Sequence, residues 1–159
     1  DIDSMVDVGA ATSYEASYQN TGYFVQKFAP LKQWKSSGGG NVELNYLNNV
    51  IEIRLADTYL MEAEALIRGG GDAVKAAGYL NAVRARVGLG PVAATLDNIA
   101  LERRKELATE GHRWFDLVRT GKAATALAFK GFTAGKNEIL PIPLTELTNT
   151  KLVQNPNYN

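Results

Sequence analysis

Two stretches of helical periodicity, separated by three consecutive glycines, constrain this chain more than any other feature of its sequence. From about Asn49 the apolar residues Leu55, Ala56, Tyr59, Leu60, Ala63 and Leu66 recur at i, i+3 and i+4 and mark one face of a helix. Glu64 and Arg68 fall on its other side as a favourable i, i+4 pair. Gly69-Gly70-Gly71 stops that helix, and Asp72 can cap the next by accepting from free N–H groups of its first turn. Ala73, Ala76, Ala77, Leu80, Val83 and Val87 then line one face, until Gly88, Gly90 and Pro91 end the run. A connection of about three residues makes the two helices antiparallel neighbours. The alanines on the facing stripes let them approach closely.

Such a pair is a tetratricopeptide-like helix hairpin. It cannot bury its apolar face alone and needs neighbours. A third helix is expected from near Thr95 to about Glu110, with Asp97 in its first turn, where a negative charge suits the helix dipole. Gly111 breaks or bends it. A fourth follows from His112 to about Thr120, ended by Gly121, and Lys122 to Phe129 can add a short one. Before the hairpin the chain reads differently. Residues 1–22 are polar and read as loop, Tyr23 to Phe28 suggests a short strand closed by Pro30, and Ser36-Ser37-Gly38-Gly39-Gly40 reads as a flexible loop. After the helices, Ile139-Leu140-Pro141-Ile142-Pro143 must be extended, because each proline restricts its predecessor. The fold expected is mainly α, helix hairpins with irregular loops and a short strand. It divides into an irregular segment over 1–48, a helical region over 49–130, and an extended tail over 131–159 packing on the helices.

Charge and composition exclude several classes of function. Lys plus Arg is 17 and Asp plus Glu is 17, so the electrostatic basis for binding nucleic acid or an anionic membrane is missing. With no cysteine there is no disulfide, thiolate metal site, cysteine nucleophile or lipid-accepting thiol in these 159 residues. No apolar run approaches the roughly 18 residues of a membrane helix. The opening Asp1-Ile2-Asp3-Ser4 has neither an initiator Met nor the pattern of a signal peptide, so the sequence reads as an excised or processed piece.

The densest charge cluster runs from Glu102 to Lys122. Glu102, Glu106 and Glu110 repeat every four residues along one helix, beside Arg103, while Arg113, Asp116 and Arg119 repeat every three along the next. Glycoside hydrolysis needs two carboxyls facing each other across a sugar bond. Carboxylates stacked on one helix face point the same way, so the cluster is read as structural. The acid row of one helix is expected to meet the arginine row of the next and lock the bend at Gly111, arginine being suited to bidentate pairing. His112 is the only histidine and has no partner at catalytic or metal-ligand spacing. Trp114 and Phe115 are read as core residues. The glycine triplets are not phosphate loops, since neither leads into a GK[ST] or GxGxxG pattern. For stacking on sugar the best candidate is Trp34 beside the glycine loop, followed by Tyr14, Tyr18 and Tyr46.

Five ordered motifs resemble the SusD/RagB family. The helix RLADTYLMEAEALIRGG, Arg54 to Gly70, is similar to that family's Arg, acid, Leu-Met-x-Ala-Glu-Ala pattern. LNAVRARVGLG, Leu80 to Gly90, resembles its Leu-Asn-x-Val-Arg-x-Arg-Ala-Gly-Leu element, with Val87 where Ala is usual. ERRKELATEGHRWFDLVRTGK, Glu102 to Lys122, resembles its Glu-Arg-x-x-Glu-Leu-x-x-Glu-Gly-x-Arg-x-x-Asp-Leu-x-Arg stretch, with Thr109 where an apolar residue is frequent. ILPIPLTEL, Ile139 to Leu147, and LVQNPNY, Leu152 to Tyr158, look like its closing segments, and TGYFVQKF, Thr21 to Phe28, fits the strand before its helices.

The resemblance implies the C-terminal part of a SusD-like fold, with the lipid-bearing cysteine and first hairpins lying outside these residues. It implies a non-catalytic accessory protein on the extracellular face of the outer membrane, lipid-anchored and without a cofactor. Such a protein captures a glycan or other nutrient for a TonB-dependent, SusC-like transporter. The matched motif residues are then assigned to fold integrity. The alternative is a free-standing helical-repeat adaptor that binds a protein partner.

Overall fold

The computed structural model describes residues 49–158 together with Tyr18, Val25 and Lys27. The chain divides into two compact units, Asp1–Glu52 and Ile53–Asn159. In the first, Tyr18 lies in a turn and is 90% exposed, Val25 is in no regular element and Lys27 is in a turn. Of the strand expected over Tyr23 to Phe28, these two are therefore not strand, and the remainder lies outside the described residues, as do Trp34, Tyr14, Tyr46 and the Gly38–Gly40 loop.

The second unit is built of helices. Helix α1 spans Leu55–Arg68 and α2 spans Ala73–Ala85. The first helix begins later than the apolar pattern suggested, because residues 49–54 are irregular and Arg54 takes the N-cap position with an extended backbone (φ −136°). Gly70, at φ 66°, turns the chain between the two, and Gly71 N–H returns to the Leu66 carbonyl at 2.8 Å. Asp72 caps α2 as expected, its carboxylate accepting from Val74 N and Lys75 N.

Helix α3, Leu96–Glu106, packs against both members of the hairpin. The Thr95 hydroxyl caps it by accepting from Asn98 N. Leu60, Ala63, Ala76, Leu80 and Ile99 are fully buried and, with Val83, form the core of this three-helix layer. Ala63 and Ala76 are the small residues that allow α1 and α2 to close on each other. Tyr59 and Tyr79 seal one side, their ring centroids 5.1 Å apart. Two expectations about these faces do not hold. Leu55, the first residue of α1, is 63% exposed, and Val87, past the end of α2, is 50% exposed. Glu64 is not on the solvent side but buried, for reasons given below.

Helix α3 was expected to run to Glu110 and stops at Glu106. The chain turns through 107–111 with two left-handed residues, Thr109 at φ 71° and Gly111 at φ 82°. A β-branched residue seldom adopts that conformation, so the tight turn is held by tertiary interactions rather than chosen by Thr109 itself. Gly111 then starts α4, His112–Arg119, whose Leu117 is buried. Trp114 and Phe115 are not core residues: Trp114 is half-buried against Phe132, and Phe115 is 70% exposed.

Helix α5, Ala123–Ala126, and a 3₁₀ turn, Ala128–Lys130, follow. The tail is extended at Leu140 to Pro143 and then forms one helical turn, α6, Leu144–Leu147. Two flanking prolines leave Ile142 as the one residue of its triplet with an N–H. The Gln154 amide takes both of its backbone groups, accepting from Ile142 N at 2.8 Å and donating to Ile142 O at 2.9 Å. Asn81 uses its side chain in the same way on Val92, tying the segment before α3 to α2.

Candidate functional site

Among the described residues, the charged groups between the helices form two chains of ion pairs and one separate buried pair, with Glu62–Lys75 and Asp97–Lys122 as outer pairs. The longer chain runs Arg68–Glu64–Arg119–Asp116–Arg103–Asp57. Arg68 Nε donates to Glu64 at 2.7 Å. Arg119 Nη1 and Nη2 donate to the two oxygens of that carboxylate at 2.7 Å each. Arg119 also donates to Asp116, which in turn accepts from Arg103 Nε. Arg103 Nη1 finishes on Asp57 at 2.7 Å. Three cations alternate with three anions, so the chain is neutral. Its inner end is the driest part: the side chains of Arg103 and Asp57 are 5% and 4% exposed.

The second chain holds the 107–111 turn. Arg54 donates through Nε and Nη2 to the two oxygens of Glu110, at 2.8 Å each, and through Nη1 to Glu106. Its Nη2 also reaches the Glu106 carbonyl at 2.6 Å. Arg86 adds a second guanidinium to Glu106. Glu102 pairs separately with Arg84 at 2.7 Å. The cap position of α1 is thereby fastened to the end of α3, through a guanidinium that has only donors and so makes no capping bond to the helix N–H groups.

The geometry corrects the expected pairing. Glu102, Glu106 and Glu110 turn back to Arg84, Arg54 and Arg86 on the hairpin, not forward to α4. Arg103, on the acid-rich helix itself, is the residue that reaches Asp116. Arg113, expected to meet the acid row, is exposed and has no ion pair among the described residues. The rule of three along α4 does place Asp116 and Arg119 together, at 2.7 Å. Missing from the sequence reading were Arg54, Asp57, Glu64 as a bridging acid, Arg84 and Arg86. One signal was available: Asp57 and Glu64 stand seven apart, two turns along α1, on one line flanking Leu60 of the apolar stripe. His112 lies beside Arg104 and Arg113 in a shallow pocket, and no group of three His, Cys, Asp or Glu able to hold a metal occurs among the described residues.

Electrostatics follow from this arrangement. The Arg119 hydrogen bonds, opposed by burial and helped by Arg68, hold the Glu64 carboxyl at about 2, below its ordinary 4.5. Its folded value lies below its unfolded one, so its stabilisation is complete above about pH 4.5 and is lost as pH falls toward 2. Urea unfolding followed from pH 7 downward should therefore show a steeper loss for the wild type than for Glu64→Gln. Parallel curves would refute the linkage. Arg54 and Arg119 are both shifted upward by their carboxylates, Glu110 and Glu64 respectively.

A helix hairpin completed by a third helix and keyed to a fourth by ion pairs defines a tetratricopeptide-like scaffold. The chain belongs to the SusD family, whose sequence profile matches residues 3–158. It is 32% identical over 149 residues to SusD-like protein P2 of Formosa agariphila, an alignment covering 80% of this chain and 30% of that protein. Its structure is similar to that of a laminarin-binding SusD-like protein, 56% identical, with a TM-score of 0.84 over 99% of this chain and 33% of that one. It is also similar to surface glycan-binding protein A of Bacteroides thetaiotaomicron in complex with laminarihexaose, 38% identical, with a TM-score of 0.79 over 96% of this chain and 35% of that one. The chain thus spans about a third of the length of these solved relatives.

Proposed function

We propose that the chain belongs to a non-catalytic glycan-binding protein of the cell surface, and that its ligand is a glucan of the laminarin type. The observation that carries this reading is the 56% identity, over 99% of the chain, to a laminarin-binding SusD-like protein. A non-catalytic role is supported by the pairing of Glu102, Glu106, Glu110 and Asp116 with guanidinium groups. A general acid or nucleophile for glycoside hydrolysis has to face the scissile bond, and these carboxylates face arginines instead. In this reading Glu102, Arg103, Glu106, Glu110, Asp116 and Arg119 maintain the scaffold, and the glycan binds elsewhere, with Trp34 a candidate ring. The protein is held at the extracellular face of the outer membrane by a lipid and delivers its ligand to a SusC-like TonB-dependent transporter. No helix among the described residues is long and apolar enough to cross a membrane.

Affinity electrophoresis of the intact protein tests the reading. Migration should be retarded in a native gel cast with laminarin and unchanged in one cast with dextran, and no reducing sugar should be released. Unretarded migration in laminarin would overturn the ligand, and release of reducing ends would overturn the non-catalytic role.

A further inference from the structure

Three aromatic rings that the sequence separates widely, Trp114, Phe132 and Tyr158, line one pocket together with Asn137. We infer that this pocket, between α4, the turn after the 3₁₀ segment and the C-terminal tail, is a stacking subsite for a single pyranose unit. The inference rests on the glycan reading above and adds a place for the ligand on this chain.

The rings are arranged for such a guest. Trp114 and Phe132 stand 5.8 Å apart between centroids and 53° between planes, a tilted pair in contact that makes one wall of the pocket. All three rings are half-buried, and the Lys136 ammonium lies over the Tyr158 ring, 4.9 Å from its centroid. The cavity measures 230 Å³, room for one sugar ring and not for an extended chain. A pyranose presents an apolar C–H face that packs on an aromatic ring, and an equatorial rim of hydroxyls that needs donors and acceptors.

The surrounding polar groups meet the second need. The Asn137 carbonyl oxygen accepts from Thr133 N at 2.6 Å, but its amide nitrogen has only a 3.5 Å approach to the Tyr158 hydroxyl. That N–H is available to a better acceptor. A hydroxyl-rich neutral ligand can accept from this amide and pair with the Tyr158 hydroxyl, whereas a purely apolar ligand would satisfy neither.

Trp114→Phe removes a single indole, which makes the subsite separately observable. The intact protein is labelled with 5-fluorotryptophan, the Trp114 resonance is assigned from Trp114→Phe, and laminarihexaose is titrated by ¹⁹F NMR. The Trp114 resonance should shift with saturation. Trp114→Ala and Tyr158→Ala, shown by circular dichroism to be folded, should each weaken laminarihexaose binding by about tenfold in calorimetry. If the wild type binds while the Trp114 resonance stays still, the subsite is wrong and the glycan reading stands. Should the wild type bind neither laminarihexaose nor laminarin, both fall together. The label is read in the unmutated fold, so a variant that failed to fold would not obscure the answer.

Discussion

Arg103→Ala should cost the helical unit about 3–5 kcal/mol, the range for removing one partner of a buried ion pair. Arg103 is the only cation that Asp57 has among the ion pairs between the described residues, and it also serves Asp116. Its loss leaves the Asp57 carboxylate 4% exposed with its charge uncompensated. The attraction between the partners is not the main quantity, since desolvating both ends offsets most of it. The penalty comes from the acid left behind. Two measurements separate these. The single variant should lower the thermal midpoint by on the order of 10–20 °C. Replacing all three groups, Arg103→Met with Asp57→Leu and Asp116→Leu, should recover much of that loss. A single variant that melts with the wild type would show that the relay does not hold the fold.

Leu60→Ala should have a comparable effect by a different route. Leu60 is fully buried where α1, α2 and α3 meet, among Leu80, Val83 and Ile99. Removing its isobutyl group deletes transfer free energy and leaves a void that rigid helices fill only in part, together costing about 2–5 kcal/mol. The effect should be the same at pH 7 and at pH 3, because a cavity binds no proton. Denaturant midpoints measured at both pH values decide the point. A Leu60→Ala deficit under about 1 kcal/mol would mean that this layer is loosely packed and able to collapse.

The sequence carried the helices and lost the partners. Period, caps and stops were local: Asp72, Thr95 and Gly111 each do what their chemistry dictates from neighbours a few residues away. The faces were legible along the middle of each helix, at Leu60, Ala63, Ala76, Leu80 and Val83, and failed at the ends, at Leu55 and Val87. Exposure there depends on how far the neighbouring helix extends, which periodicity does not encode. The ion pairs failed for a related reason. A row of acids spaced by four states which side of α3 is charged, but not which element lies opposite it. Glu106 and Glu110 found Arg54, more than fifty residues earlier, in preference to Arg113, three residues beyond Glu110. The 107–111 turn decides this outcome: with Thr109 and Gly111 left-handed, Glu110 is carried beneath α1 and the Arg113 side chain is turned outward. The aromatic pocket was hidden in the same way, because Trp114, Phe132 and Tyr158 meet only after the tail has returned to α4.

The tail itself illustrates how an extended segment can be kept from recruiting strangers. Leu140 to Pro143 is apolar, extended and partly exposed, the composition of an edge strand to which another chain could add. Pro141 and Pro143 have no N–H to offer, and Gln154 has already taken the donor and the acceptor of Ile142. Asn155 occupies the Leu140 carbonyl as well. No free ladder of backbone groups is left for a neighbouring copy to extend, so where such proteins crowd together this segment cannot template a sheet.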